Sequence, residues 1–328
     1  MISIDFVYAA DDAFAEFLGI SLISLLENGG CGRDVRVYIL DGGISAENRS
    51  RLLTVGGKYG CDIEFISSER LLDPSMKQER GSLSTFARLY MAELLPESAK
   101  RVLYLDCDLL VMDDISELAH MDMQGMLCAG VRDCISAARL RYDGLSAENV
   151  YINAGVMLID LELWRRERIS AVFEKYSDSY GGNVQYADQG IVNGALKGRI
   201  LALEPKYNCY TAMYDFSYSE LMTFRKPPVY YSYEEIEKAK NEPCIVHFTT
   251  SFLSLRPWFS GCTHPCFGKW NEYRKKTPWA AEPERVCGKR TNSLGRLIFK
   301  VFPRKAAVAA AGFVHSIAVP FLKGVLRR

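Results

Sequence analysis

Acidic residues are missing from one end of this 328-residue chain. Residues 286–328 contain no Asp or Glu, although nine of the 40 Lys and Arg residues lie there. The whole chain is neutral, so residues 1–285 carry a net charge of −9. An acidic body disfavours nucleic acid as a partner, whereas the basic segment suits an anionic surface such as the cytoplasmic face of a membrane.

Three other features are absent. The ten cysteines form no paired framework, which favours reduced thiols in a reducing compartment over disulfides. The N-terminus lacks a basic stretch followed by a long apolar run, so no signal peptide is predicted and we expect a cytoplasmic chain. Residues 306–322 carry no Asp, Glu, Lys or Arg, but this run is shorter than the roughly 20 residues that span a bilayer.

The sequence shows a regular alternation of patterns that predict strands and helices. Short apolar runs that predict buried strands alternate with helical spacing, which is typical of an α/β fold with a mostly parallel sheet flanked by helices. The predicted strands cover residues 4–10, 35–40, 61–66, 101–105, 126–131 and 150–160. Helices are predicted over residues 45–59, 85–95, 161–177 and 186–196, among others.

The pattern changes near residue 278. Apolar residues at 294, 297, 298, 301 and 302 form one helical stripe, with basic residues on another face. We therefore divide the chain into an α/β domain, residues 1–277, and a basic, partly apolar helical tail, residues 278–328. The tail is expected to lie on the inner face of the cell membrane; the alternative is that it packs on the α/β domain.

A pair of carboxylates follows a predicted buried strand. Asp106 and Asp108 come directly after the apolar run 101–105, and alternate residues of an extended segment point the same way. Two carboxylates this close repel each other, and a hard divalent cation such as Mg²⁺ or Mn²⁺ resolves that repulsion. Ligands of open α/β sheets bind at the carboxyl ends of strands, which is where this pair is expected. A solvated turn is the alternative.

Several segments together resemble glycosyltransferase family 8, the bacterial galactosyl- and glucosyltransferases of lipopolysaccharide synthesis. They occur in the family's order and span most of the chain: residues 8–12, 85–89, 102–108, 153–159, 186–190, 247–248 and 256–258. The resemblance implies a GT-A-type, Rossmann-like fold, a UDP-sugar donor, Mn²⁺ or Mg²⁺ as cofactor, a glycan or glycolipid acceptor, and transfer with retention of the anomeric configuration.

The resemblance also implies roles for individual residues. The metal ligands would be Asp106, Asp108 and His247. Asp11 and the Ala9 backbone would hold the uracil ring, although a helix-capping role for Asp11 is equally compatible with its position. The remaining donor contacts would come from Arg88, Cys107, Asp133, Asn153, Ala154, Asp188, Gln189 and Arg256.

Asp188 and Gln189 are the predicted catalytic residues, with Gln189 beside the anomeric carbon. Two retaining routes stay open, a double displacement and a front-face attack; a neutral amide is a poor nucleophile, which favours the second. The sequence departs from the family at Ala13, where Asn is frequent, and in a longer gap between His247 and Arg256.

Two other functions, nucleotidyl transfer and non-catalytic binding of a UDP-sugar, fit the sequence less well. A nucleotidyltransferase needs a Gly-rich basic loop after the first strand, and residues 9–12 are not one. A non-catalytic UDP-sugar-binding protein need not keep the acidic and amide side chains at 106, 108, 188 and 189. Cys262, His264 and Cys266 form half of a possible zinc site without an evident second half. The loops 67–83 and 208–232 are expected to shape the acceptor pocket.

Overall fold

The computed structural model describes residues 4–30, 35–68, 83–287 and 293–326. Within these ranges the chain forms ten strands, named in chain order. They are β1 (Asp5–Ala10), β2 (Arg36–Asp41), β3 (Asp62–Ser67), β4 (Arg101–Leu105), β5 (Leu109–Val111), β6 (Cys128–Arg132), β7 (Ile152–Asp160), β8 (Ile200–Leu203), β9 (Cys209–Tyr210) and β10 (Ile245–His247).

Seven strands form the central sheet in the order β3-β2-β1-β4-β7-β6-β8. Every neighbouring pair is parallel except those of β7, which runs antiparallel to both β4 and β6. Side chains of β1 alternate between two cores: Phe6 and Tyr8 pack on one face of the sheet, and Val7 packs on the other. The sheet is therefore buried on both faces, which confirms the predicted α/β class.

The second sheet has three strands in the order β5-β10-β9. Strand β5 is antiparallel to β10, and the register sets Leu109 opposite His247. Since β5 follows β4 after only three residues, this small sheet brings His247 next to Asp106 and Asp108. The sequence did not predict β5 or β9, because such short strands are defined by distant partners.

Helices cover both faces of the central sheet. In chain order they are α1 (Ala15–Asn28), α2 (Ala46–Tyr59), α3 (Met91–Leu94), α4 (Glu117–His120), α5 (Ala137–Tyr142), α6 (Leu161–Glu167), α7 (Ile169–Ser179), α8 (Ala187–Ala195), α9 (Thr211–Asp215), α10 (Tyr218–Arg225), α11 (Tyr233–Asn241), α12 (Phe267–Arg274), α13 (Ser293–Val301), α14 (Arg304–Phe313) and α15 (Val319–Leu326).

Two predicted helices differ from what is observed. The segment expected to be one helix over residues 85–95 is a 3₁₀-helix, Leu83–Tyr90, followed by the single turn α3. The helix expected over residues 161–177 is interrupted at Arg168, whose φ of +53° is left-handed and ends α6 before α7 begins. The predicted helix at residues 45–59 is confirmed as α2, and the Ser45 side chain caps it by accepting from the Asn48 N–H.

The C-terminal helices pack on the rest of the chain. Helix α14, a π-helical segment (Val314–Ala318) and α15 follow one another and contact α10 and α5. A Cβ on Gly312 would lie 2.7 Å from the Thr223 carbonyl oxygen, so only glycine permits this close approach. Closer to the body, Trp279 is buried, and its indole N–H donates to Asn48 Oδ1 (3.0 Å).

Candidate functional site

The candidate site lies where β1 and β4 end. Residues 106–108 connect β4 to β5, and Asp11 follows β1. The Cys107 thiol donates to the carbonyl oxygen of Ala9 (3.3 Å), which links the two strand ends. The predicted position at the carboxyl ends of parallel strands is therefore the observed one.

Asp106, Asp108 and His247 form the group that could hold a metal among the residues that the structure describes. One ligand atom from each lies within 4.8 Å of the others. His247 Nε2 is 3.1 Å from Asp108 Oδ1 and 3.6 Å from Asp106 Oδ2. Two carboxylates and an imidazole fit a divalent cation, and carboxylate oxygens are suited to Mg²⁺ or Mn²⁺.

Gly155 of β7 leaves the space for this group. A Cβ at this position would lie 2.1 Å from His247 Cε1 and 2.8 Å from Asp106 Oδ2. Any side chain here would push two of the three candidate ligands away. The neighbours of this glycine are therefore His247 and Asp106.

Asn208 orients His247 and was not predicted as a site residue. His247 Nδ1 lies 3.0 Å from Asn208 Oδ1, and the amide of Asn208 donates to Asn153 Oδ1 (2.9 Å). An amide oxygen only accepts, so this bond assigns a proton to Nδ1, and Nε2 is the nitrogen that faces the two carboxylates and would bind a cation. Asn208 ends a 3₁₀ turn between β8 and β9, and no local pattern distinguishes it.

Arg88 is a buried charge at the centre of the site. Its guanidinium contacts Asp106 Oδ1 (2.9 Å), Asp188 Oδ2 (2.9 Å) and the Ala154 carbonyl oxygen (2.9 Å). It also lies over the Tyr104 ring. Burial alone would lower the pKa of Arg88, but the two carboxylates raise it, so the side chain stays charged. The anionic partners of this arginine are Asp106 and Asp188.

Asp188 and Gln189 lie in the first turn of α8. Gln189 Nε2 donates to Asp133 Oδ2 (2.9 Å), and Gln189 Oε1 accepts from the Ala154 N–H (3.2 Å). Burial raises the pKa of Asp188, Arg88 opposes that shift, and Asp106 adds to it. The structure thus brings five of the predicted donor residues, Arg88, Asp133, Ala154, Asp188 and Gln189, into one network.

The two residues before them have unusual backbone. Tyr186 and Ala187 both adopt left-handed conformations, with φ of +61° and +49°. Non-glycine residues rarely do so, and such strain often accompanies functional sites. No pattern in the sequence predicts this backbone conformation.

Arg256 reaches the site despite the longer gap after His247. Its Nη2 lies 3.3 Å from Asp108 Oδ2 and donates to Thr250 Oγ1 (2.8 Å). Burial would raise the pKa of Asp108, but Arg256 and His247 together lower it to about 2, so the carboxylate is ionised. A cationic side chain beside a carboxylate pair is also suited to a diphosphate.

Asp11 does not cap the following helix with its side chain. Its Oδ1 is buried and has no hydrogen-bond partner among the described residues. The neighbouring Asp12 accepts hydrogen bonds from the Ser45 N–H and the Asn48 side-chain amide, and so joins the segment after β1 to the start of α2. A buried carboxylate oxygen with no partner in the described part of the chain is suited to accept a hydrogen bond from a ligand.

The three residues considered as half of a zinc site do not form a metal-binding group in the described part of the chain. Cys262, His264 and Cys266 form no metal-ligand group within the described ranges; instead the Cys262 thiol donates to the Leu255 carbonyl oxygen, and His264 Nδ1 accepts from the Cys266 N–H. Burial lowers the pKa of His264 to about 4. Eight of the described cysteines, all but Cys287, are free thiols, as predicted. Most of the first expected acceptor loop, residues 69–82, lies outside the described residues.

Comparison with known proteins agrees with this geometry. General stress protein A of Bacillus subtilis (strain 168) is 29% identical over 277 residues, which are 83% of this chain and 93% of that protein. The lipopolysaccharide 1,2-glucosyltransferase of Escherichia coli (strain K12) is 27% identical over 208 residues, which are 62% of this chain and only 57% of that protein.

A solved structure supports the fold. The galactosyltransferase LgtC, in complex with donor and acceptor sugar analogues, has a TM-score of 0.72 and 26% identity, with 84% of this chain and 96% of that chain covered. This likeness confirms the predicted GT-A-type fold. A model of glycosyl transferase family 8 matches residues 5–262, which include every candidate ligand described above. The chain belongs to glycosyl transferase family 8.

Proposed function

We propose that the chain is a metal-dependent retaining transferase that moves a hexosyl group, galactose or glucose, from a UDP-sugar to a glycan or glycolipid acceptor. The observation that carries this proposal is the convergence of Asp106, Asp108 and His247 at the carboxyl end of the sheet. The similarity to a lipopolysaccharide glucosyltransferase and to a galactosyltransferase favours a role in lipopolysaccharide or surface polysaccharide synthesis.

The donor would lie between β1 and α8. Asp11 would accept from the uracil ring with the Oδ1 atom that lacks a partner among the described residues, and the Ala9 backbone would contact the base. Asp106, Asp108 and His247 would hold Mn²⁺ or Mg²⁺, which supplies Lewis-acid stabilisation of the departing diphosphate. Arg256 lies beside Asp108 and would contact the same diphosphate.

The donor sugar would face Asp133, Asn153, Asp188 and Gln189. Gln189 is an uncharged amide already held by Asp133 and the Ala154 N–H, so it is suited to orient the sugar rather than to attack the anomeric carbon. This favours front-face transfer: the acceptor oxygen bonds to the anomeric carbon as the bond to UDP breaks, and the acceptor proton passes to the departing diphosphate.

A donor screen tests the proposal. UDP release from UDP-galactose, UDP-glucose and other UDP-sugars is measured with Mn²⁺, with Mg²⁺ and with a chelator. We expect release from a hexose donor only with metal, and a loss of at least about 1,000-fold in kcat for Asp106→Asn, since the cation then loses a ligand. Asp113→Asn, an exposed carboxylate after β5, is the matched control and should turn over normally.

The same screen separates the rivals. A nucleotidyltransferase would release pyrophosphate from a nucleoside triphosphate instead of UDP. A non-catalytic binding protein would bind a UDP-sugar and release nothing. Equal turnover by Asp106→Asn without metal would contradict the proposed cation role.

We also propose that the tail attaches the enzyme to the cytoplasmic face of the cell membrane. In the described part of the chain, all but four of the exposed large hydrophobic side chains lie beyond residue 285, Phe313, Ile317 and Phe321 among them. Lys300 and Lys305 are exposed nearby, and such a basic, apolar surface is suited to anionic lipids.

Helix Arg304–Leu322 is long and apolar enough to cross a membrane, but 28% of its apolar window is buried within the chain. A helix with one face on the protein is better suited to lie in the interface. Co-sedimentation with vesicles of phosphatidylglycerol and phosphatidylethanolamine should fall when Phe313, Ile317 and Phe321 are changed together to Ser. Val172→Ser, at an exposed apolar side chain of α7, is the control; binding unaffected by the triple change would contradict the proposal.

A further inference from the structure

Helix Arg304–Leu322, called the C-terminal helix below, contacts the rest of the chain through buried polar groups. Ser316 Oγ donates to the Phe224 carbonyl oxygen (2.7 Å), and Ser136 Oγ donates to the Ser316 carbonyl oxygen (2.8 Å). Together with the close approach at Gly312, these bonds define how the helix lies on α10 and α5. Gly312 and Ser316 lie beyond residue 262, outside the region that the family model matches.

The π-helical segment Val314–Ala318 determines which side chains of this helix face inward. A π-helix holds more residues per turn than an α-helix, so it shifts the face that the following residues present. Phe313 and Val314 are exposed, whereas Ser316 is buried and His315 is largely buried. His315 therefore reaches the body from a helix whose other face is apolar and solvent-exposed.

His315 contacts Tyr186 and Arg225. Its Nε2 lies 3.2 Å from Arg225 Nη1 and 3.3 Å from the Tyr186 hydroxyl oxygen. A guanidinium only donates, so Nε2 accepts and the imidazole is neutral. Burial, together with Arg225 and Arg139, lowers the pKa of His315 to about 3, in agreement with a neutral ring.

Tyr186 is the residue that precedes α8. Its backbone and that of Ala187 are left-handed, and the next two residues are Asp188 and Gln189. The Arg139 guanidinium stacks on the Tyr186 ring at 4.4 Å. An unfavourable backbone of this kind persists only where the surroundings hold it, and here the side chain is held by Arg139 on its face and His315 at its hydroxyl.

We propose that His315 is a positioning residue for catalysis. By holding the Tyr186 hydroxyl, it keeps the left-handed start of α8, and with it Asp188 and Gln189, in the arrangement that the site requires. The C-terminal helix is thus a component of the catalytic unit in addition to a membrane contact. The inference rests on the proposed transferase function only through the roles of Asp188 and Gln189.

The test compares His315→Ala with Val314→Ala, a neighbouring exposed position on the same helix. We expect kcat for UDP release to fall about 10-fold in His315→Ala, because a small displacement of catalytic groups has a large effect on rate. The affinity for Mn²⁺ should stay unchanged, since the candidate metal ligands lie on other elements. Val314→Ala should match the wild type, and His315→Gln, which keeps an acceptor oxygen near the Nε2 position, should recover most of kcat.

A second pair of measurements separates positioning from general destabilisation. Tyr186→Phe removes the same contact from the other side, so the double variant with His315→Ala should be no slower than either single variant. Hydrogen exchange of the α8 amides should be faster in His315→Ala and Tyr186→Phe than in Val314→Ala. Should His315→Ala fail to fold, Tyr186→Phe carries the same comparison.

The two proposals fail in different ways. A wild type that releases no UDP from any UDP-sugar would overturn the transferase proposal, while the exchange of the α8 amides would still decide the role of His315. Additive losses in the double variant, or exchange of α8 equal in His315→Ala and Val314→Ala, would overturn the positioning role.

Discussion

The two sides of the candidate site are built by different means. On the metal side, the sheet sets the geometry: β10 pairs with β5 so that His247 faces Leu109, one residue after Asp108. On the α8 side, side chains set the geometry. The start of α8 is held by Arg88, Asp133 and His315, and the backbone of Tyr186 and Ala187 is strained there. Backbone pairing tolerates changes of side chain, whereas a network of side chains depends on each member.

Among changes outside the three candidate metal ligands, the largest effect is expected at Gly155, where the two sides meet. Gly155→Ala adds a Cβ that would lie 2.1 Å from His247 Cε1, so His247 or β7 must move. Displacing a catalytic group by about 1 Å lowers rates by roughly 100-fold. We expect kcat to fall at least that far and Mn²⁺ affinity to fall with it, measured by UDP release and by titration of the metal. An unchanged Mn²⁺ affinity in Gly155→Ala would contradict this expectation. It would show that His247 can move without loss of the cation site.

A smaller loss is expected for Arg88→Lys on the α8 side. Lysine keeps the charge but cannot reach Asp106, Asp188 and the Ala154 carbonyl oxygen together. We expect kcat to fall about 30-fold, in line with the loss of one or two charged hydrogen bonds. Arg165→Lys, which alters another partly buried arginine with several carbonyl partners, is the control for stability and should not affect turnover.

Asn208→Ala should weaken the metal side without disturbing α8. His247 would lose the acceptor that orients its ring, and residues that orient metal ligands contribute at least about 10-fold to affinity. The expected result is a Kd for Mn²⁺ raised by about 10-fold, with kcat at saturating metal close to that of the wild type. A loss of kcat that excess metal does not restore would contradict this role.

The smallest effect is expected for Ala187→Gly. Glycine adopts the left-handed backbone at this position more easily than alanine, so the free energy of unfolding should rise by about 1 kcal/mol. Thermal unfolding measures the gain. A decrease in stability would mean that the strain at Ala187 is offset by contacts of its methyl group.

Local patterns predicted the parts of the fold that depend on local forces. Apolar runs identified β1 to β4, and the pair Asp106 and Asp108 was found because alternate residues of an extended chain share a side. The reversed direction of β7 was not predicted, because pairing is determined by distant strands. His247 was assigned from resemblance alone, since its neighbours on β5 and β9 lie far away along the chain.

The residues that sequence patterns missed act through other side chains. Asn208 and His315 bind neither donor nor metal in the proposed site; each orients a residue that does, or holds the segment that carries it. An asparagine at the end of a turn and a histidine in an apolar helix have no distinctive surroundings in the sequence. Their partners are 39 and 129 residues away, and only the tertiary structure joins them.

The central position of β10 in the small sheet has a consequence for folding. Its two neighbours, β5 and β9, come from widely separated parts of the chain, and the last candidate ligand, His247, takes its place only when all three strands have met. A nascent or truncated chain that ends before β10 therefore has no complete cation site. Ions that bind only the completed chain stabilise it by mass action, so the rise in melting temperature with Mn²⁺ concentration would report how tightly the completed site binds the ion.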